Sequence, residues 1–397
     1  MLDIAIIGSG PAGLSAAIFL YDQGYGVTII ERFDQAQAVG SGLMLQPTGL
    51  EVLRQLGLKQ EIEELGQRIT GMLGKVAPNG KTVLDINYQV LSDDLYGVAI
   101  HRASLFHVLY ESVNQRGIPL LTGVDVIGVQ RKDDKTMVKS QGDSAPEIEF
   151  DLLVDASGRS SHLITEAIKK PVHRQLAYGA LWGTVSYNNT QFNQHLLEQR
   201  YKAAKVMVGV MPCGRLPSEH TQLATFFWSL RDGDYQTVMD NGIECWKSEV
   251  LQHWPAVEPL LAQFEGFEQL SHAVYSHHTL PTPYGNKIVF IGDAAHSTSP
   301  QLGQGANMAL LDSMALSNAL ERTASVEDAL TLYARMRSLH VKLFQAASLS
   351  LTPFYQSDNA LMPWLRDCLF EPVSKVPFAD KLVTSLGAGL LGNPINR

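Results

Sequence analysis

The sequence predicts an α/β protein: a parallel, doubly wound sheet that is discontinuous along the chain, a second β-sheet layer, and a C-terminal helical segment. Three observations predict it. A strand, a glycine-rich turn, a helix and a second strand follow one another within the first 31 residues. A similar strand–turn–helix recurs at 287–312, and the residues between carry alternating or apolar strand candidates without such a motif.

Length and composition bound the reading before any motif is used. The chain has 397 residues, too many for one ordinary core, and 45% hydrophobic content is enough to bury two or three. A formal charge of −9 with 18% charged residues excludes a partner bound through its phosphate backbone, which needs a basic face. Nucleic acid is therefore not an expected partner. The three cysteines, Cys213, Cys245 and Cys368, lie far apart with no Cys/His cluster, so neither a disulfide framework nor a metal site is expected, and a reducing cytoplasm fits best. The first twenty residues are apolar, but Asp3 stands where a secretory signal would be basic, and Gly8, Gly10, Pro11 and Gly13 interrupt the run. No apolar stretch reaches the roughly 18 residues that a membrane-spanning helix needs.

Asp3-Ile4-Ala5-Ile6-Ile7 is short, apolar and rich in β-branched residues, as a buried parallel strand requires. Gly8-Ser9-Gly10-Pro11-Ala12-Gly13 follows at once, then Leu14, Ala17, Ile18 and Leu20 at helical spacing up to Gly24. Val27 to Ile30 reads as the second strand and ends in Glu31-Arg32. This is a Rossmann-like βαβ unit with an acid at its tip. Gly8 permits the tight turn, Gly10 lets the backbone approach a pyrophosphate, and Gly13 lets the helix pack closely on the strand. The helix N-terminus offers N–H groups and a positive dipole end to phosphates, and Glu31 is placed to accept from an adenosine ribose.

Residues 287–312 repeat the theme. An apolar strand ends at Gly292-Asp293, and a polar loop with Pro300 leads to Gly303-Gln304-Gly305 and a helix that starts near Ala306-Asn307. Its N–H groups can stabilise negative charge, and Asp293 at a strand tip can accept hydrogen bonds from a polyol chain. An ordinary connection capped by Asp293 reads equally well from the residues alone.

Gly8 to Gly13 with Glu31-Arg32, then Gly292-Asp293-Ala294-Ala295-His296 and Gly303-Gln304-Gly305-Ala306-Asn307, together resemble the class A flavin-dependent aromatic hydroxylases. The resemblance extends over essentially the whole chain. It includes His101-Arg102-Ala103-Ser104-Leu105, similar to the family's arginine-containing helix start, and Thr352 to Asp367, which resembles ubiquinone-pathway hydroxylase relatives. It implies FAD as cofactor, with Asp293 on the ribityl hydroxyls, Gly303–Asn307 facing the pyrimidine edge of the ring, and Arg102 at the ribityl or phosphate region. Gly40-Ser41-Gly42 looks like the glycine loop beside the flavin. NAD(P)H is the implied donor, and the implied reaction is hydroxylation of an electron-rich aromatic small molecule through a flavin hydroperoxide.

One stretch departs from that family. After the Asp151–Val154 strand the chain reads Asp155-Ala156-Ser157-Gly158, with Ser157 where the family carries Asp. This resembles flavin-dependent halogenases, which receive reduced flavin from a partner reductase. Their Trp-x-Trp-x-Ile-Pro motif is absent around Trp182, Trp228, Trp246, Trp254 and Trp364. A dehydrogenase or reductase, a halogenase, and a non-enzymatic nucleotide-binding module are the competing readings.

One cofactor must touch both residue 8 and residue 292, so the FAD-binding domain is expected to comprise 1–72, 98–172 and 272–340. Strand candidates lie at 119–130 and 150–154. A substrate domain of 73–97 and 173–271 would contain Leu181–Tyr187, Val206–Met211 and Leu223–Leu230, and residues 341–397 would form a helical cap. The apolar tail could also give weak contact with a membrane surface. No catalytic residue is assigned. Tyr178, Tyr187, His277 and His278 are candidates of the right chemistry for a base, and His296 reads better as a hydrogen-bonded structural residue.

Overall fold

The computed structural model describes residues 2–36, 40–78, 80–132, 135–141, 149–188, 192–374 and 376–392. Asp3–Ile7 is the central strand of a six-stranded sheet. Gly26–Ile30 and Leu120–Leu121 lie on one side of it; Leu152–Asp155, Ile288–Phe290 and the antiparallel edge Tyr284–Gly285 lie on the other. Register explains how distant segments meet. Ile7 pairs with Asp155 and Asp155 with Phe290, so the turns that follow all three strands leave the same carboxyl edge.

The residues behind this edge are apolar because both faces of the sheet are covered. Ile4, Ile6, Leu152, Val154 and Val289 pack against the helices Pro11–Asp22 and Gly305–Glu321 on one face, and Ala5, Ile7, Leu153 and Phe290 fill a second cluster on the other. Gly13 is where the first helix meets the strand: a Cβ there would stand 1.9 Å from the Gly8 carbonyl oxygen.

The second layer is an eight-stranded sheet in the order His296–Ser297, Leu270–Thr279, Val172–Ser186, Leu223–Arg231, Val206–Gly214, Leu196–Lys202, Gly71–Val76 and Thr82–Asn87. The expected strands at 206–211 and 223–230 lie within it, and the one at 181–187 does so up to Ser186, where the strand ends. Leu270–Thr279 pairs with Val172–Ser186 from Leu270 to Thr279, and so runs in this sheet on both sides of residue 272. One expectation is corrected. The candidate strand at 119–130 is two strands, Leu120–Leu121 in the parallel sheet and Val126–Lys132 in a separate three-stranded antiparallel sheet, parted by Gly123 at φ 72°.

The C-terminal part is helical. Val326–Tyr355 begins at Ser325, whose hydroxyl accepts from the Asp328 N–H at 3.1 Å. Leu361–Ser374 and Pro377–Gly387 follow, the last packed on the Thr82–Asn87 strand. Among the described residues no helix is long and apolar enough to cross a membrane.

Candidate active site

A continuous groove of about 1020 Å³ runs along the carboxyl edge of the parallel sheet and on between that sheet and the larger one. A cavity for a drug-sized ligand rarely exceeds roughly 1,000 Å³, so this one has room for a large cofactor with a small molecule beside it. Gly8, Gly10, Pro11 and Ala12 line it together with Glu31, Arg32, Gly42 and Arg102. So do Gly158, Asp293, Pro300, Gly303, Gly305 and Ala306, from the other two strand ends. Three of the sequence-derived site residues do not line it. Gly13 and Gly292 lie behind the wall as close-packing positions, and Asn307 is fully buried with its side chain spent on the protein.

Each of these three has a physical task. Gly292 sits at φ 61°, a left-handed conformation that glycine adopts without strain, and its N–H donates to Asp312 at 2.8 Å. That turn swings the next residue, Asp293, toward the groove. Asn307 Oδ1 accepts from the Gln46 N–H at 2.8 Å while Nδ2 donates to the carbonyls of Met44 at 3.0 Å and Gly303 at 2.9 Å. It staples the Gly303 turn to the Gly42–Leu45 strand rather than reaching outward.

The two helix starts that face the groove share a property. Gly10 caps Pro11–Asp22 and Gln304 caps Gly305–Glu321, and neither cap supplies a side-chain hydrogen bond to the first turn. The Val326–Tyr355 helix, by contrast, has its Ser325 cap. Uncapped N–H groups at a dipole's positive end suit an anion. Space is reserved for one as well: a Cβ on Gly10 or Gly305 would meet nothing within 4 Å, so the backbone lies bare toward the groove.

Charge is held in place around these starts. Glu31 is buried; one carboxylate oxygen accepts from both the N–H (2.9 Å) and the hydroxyl (2.7 Å) of Ser9, and the other accepts from the Phe33 N–H at 3.2 Å. Asp293 is exposed where it lines the groove, and desolvation by the protein around it raises its pKa although His296, Arg102 and Arg159 pull it down. Asp155 is fully buried, and burial raises its pKa against hydrogen bonds from Ser157 and Ser161 that lower it. Ser157, the departure from the family pattern, donates both N–H and hydroxyl to Asp155, at 3.0 and 2.6 Å, and so closes the Gly158 turn locally.

None of the candidate bases faces the groove. Tyr178 donates to Asp358 at 2.8 Å and Tyr187 to the Phe192 carbonyl at 2.8 Å, His277 and His278 lie off the lining, and His296 hydrogen-bonds Asp312 at 2.8 Å. Where the groove runs between the sheets, its lining includes Trp182, Gln199, Tyr201, Phe227, Tyr275 and Tyr355. They belong to four strands and a helix far apart in sequence, with no motif among them. Strand alternation could have indicated which of them share a face, but not what that face meets.

A family profile described as an FAD binding domain matches residues 1–347. The chain belongs to this FAD-binding family. Among similar proteins, aurachin C monooxygenase/isomerase of Stigmatella aurantiaca is 25% identical over 390 residues, covering 94% of either chain. The FAD-dependent urate hydroxylase of Mycolicibacterium vanbaalenii is 24% identical over 348 residues, covering 85% of this chain and 84% of that protein. Among solved structures, Klebsiella pneumoniae HpxO complexed with FAD and uric acid has a TM-score of 0.83 at 19% identity and covers 98% of both chains. In this FAD-binding chain the fold is therefore shared along nearly its whole length, and the two relatives named by activity are a monooxygenase/isomerase and a hydroxylase rather than a halogenase or a dehydrogenase.

Proposed function

We propose that the chain is an FAD-dependent monooxygenase that uses NAD(P)H and dioxygen to hydroxylate an electron-rich aromatic small molecule. The observation that carries this reading is the single groove joining two uncapped helix starts to an aromatic cavity between the sheets. The bare backbone at Gly10 and Gly305 is what a tightly held dinucleotide requires, so the residues present fit the cofactor.

FAD bound there supplies the redox chemistry, taking reducing equivalents from NAD(P)H and activating dioxygen. The protein's part is to bind, orient and exclude water. Gly8 to Ala12 would cradle the pyrophosphate, and Glu31, with Arg32 beside it, would take the adenosine ribose. Asp293 would accept from the ribityl hydroxyls, with Arg102 near the same region and Gly42, Gly158 and Pro300 shaping the walls. The N–H groups of Gly303, Gly305 and Ala306, at the dipole's positive end, would favour the negative charge of a reduced flavin ring. Trp182, whose Nε1–H donates to the Tyr275 hydroxyl at 2.6 Å, and Phe227, its ring tilted against that of Trp182 at 4.7 Å between centroids, would hold a substrate ring and keep water out.

The test is oxygen transfer. Purified protein reconstituted with FAD is screened for aromatic compounds that accelerate NAD(P)H oxidation, under labelled dioxygen. A product heavier by one labelled oxygen atom is expected; NAD(P)H oxidation that yields only hydrogen peroxide with every compound, or no flavin bound at all, contradicts the reading.

A further inference from the structure

Beyond the flavin segment the groove continues between the large sheet and the C-terminal helix Pro377–Gly387, and its polarity changes there. Its three arginines, Arg32, Arg102 and Arg159, stand with the dinucleotide turns. The far end is walled by Met72, Val83, Ile86, Leu197, Val383 and Leu386, and no lysine or arginine lines it. The acidic residue along it is Asp85, itself exposed to solvent, whose pKa is raised by partial desolvation and by the nearby Asp380. Buried Arg366 pairs with Asp367 at 2.7 Å, donates to the Phe354 carbonyl at 3.0 Å, and lies 5.0 and 5.5 Å from the rings of Tyr201 and Tyr355.

A carboxylate or phosphate moved into this end would lose its water and find no lysine or arginine on the lining to replace it. A neutral polar atom has a partner. Gln199 is buried, with its amide oxygen taken by the Tyr201 hydroxyl at 2.6 Å, while its amide nitrogen meets only the Met207 sulfur at 3.7 Å. A thioether is a weak acceptor, so the Gln199 N–H is a donor held for a better one. The helix wall is fixed rather than loose, because the Gly387 carbonyl accepts from Gln304 Nε2 at 2.9 Å, in the turn beside the flavin groove.

We propose that this site takes an uncharged aromatic carbonyl or hydroxyl compound that carries an apolar side chain. Its polar atom accepts from Gln199, and its chain lies against Val83, Ile86 and Leu386 under the C-terminal helix. The proposal deepens the monooxygenase reading and rests on it.

The test uses the FAD-loaded protein, its flavin content measured first, and three probes: 4(1H)-quinolone, its 2-heptyl derivative and its 2-carboxylate. Dissociation constants are read from the change in flavin absorbance or fluorescence. Each buried methylene is worth up to about fourfold in affinity, so the heptyl probe should bind at least tenfold tighter than the parent, and the carboxylate weakest of the three. Leu386→Trp should abolish the advantage of the heptyl chain while leaving the parent within about twofold, and Gln199→Leu should weaken both neutral probes by about tenfold at unchanged flavin content. A carboxylate that binds as well as the heptyl probe, a chain that gains nothing, or a failure of all three to bind overturns the proposal. Protein that takes up no flavin at the first step fails the monooxygenase reading instead.

Discussion

Asp312 holds the Gly292 backbone: one carboxylate oxygen accepts from the Gly292 N–H at 2.8 Å and from His296 Nε2 at 2.8 Å, and the other accepts from Arg337 Nε at 2.6 Å. Burial alone would raise this carboxyl, yet His296 and Arg337 outweigh it and bring its pKa to about 2. A side chain twenty residues downstream thus fixes the turn that aims Asp293 at the groove.

Replacing Asp312 with alanine should be far more damaging than replacing Asp293. It leaves Arg337 and His296 buried without their partner, at a cost of about 3–5 kcal/mol. Chemical denaturation of the apo protein checks this. Asp293→Ala, which removes a carboxyl that burial disfavours, should leave the apo unfolding midpoint unchanged or raise it.

Acid should destabilise the protein in two stages. His340 is held neutral by burial and by the charge of Arg337, with its pKa lowered from 6.5 to about 3. Above pH 6.5 it is neutral in both folded and unfolded chains. Below that the unfolded chain takes up a proton that the folded one refuses, so stability falls between pH 6.5 and 3, by up to about 1.4 kcal/mol per pH unit for this one group. Asp312 acts lower down: its contribution is complete above its ordinary 3.8 and is lost as pH falls toward 2. His340→Gln should flatten the decline between pH 7 and 5 in thermal unfolding. Some slope should remain, because burial also lowers the pKa of His277 and His278. An unaltered profile contradicts this assignment.

Gly13 and Gly10 should fail differently when enlarged. A Cβ at Gly13 would stand 1.9 Å from the Gly8 carbonyl oxygen, so Gly13→Val should prevent the first helix from packing and yield insoluble or unfolded protein. Circular dichroism of the soluble fraction checks it; a well-folded variant would show that the helix can shift at little cost.

The turns were legible in the sequence because glycines leave a local mark. Gly8 and Gly10 could be placed at a groove from strand, turn and helix patterns alone, whereas Gly305 needed the family resemblance, because an ordinary connection fits its residues equally well. Two readings were incomplete because they concern partners rather than patterns. Asn307 sits in the right motif, yet its amide is consumed by Gln46, Met44 and Gly303, which no spacing in the sequence reveals. Tyr178 and Tyr187 have the chemistry of a base but are tied to Asp358 and the Phe192 carbonyl. A cavity between the two sheet layers follows from the layered reading, but which aromatic side chains line it was not legible. Tyr201 and Tyr355 come within 5.2 Å of each other from a strand and a helix widely separated in the chain, and only the folded arrangement brings them together.

The central claim is that two segments nearly three hundred residues apart grip one coenzyme. FAD titration of the apo wild type, Gly10→Val and Asp293→Ala, with folding checked by unfolding midpoint, tests it most directly. One FAD per wild-type chain is expected, with affinity reduced at least tenfold in both variants while their folds remain intact. Wild-type affinity in either folded variant would show that its segment does not hold the coenzyme, and would contradict the account.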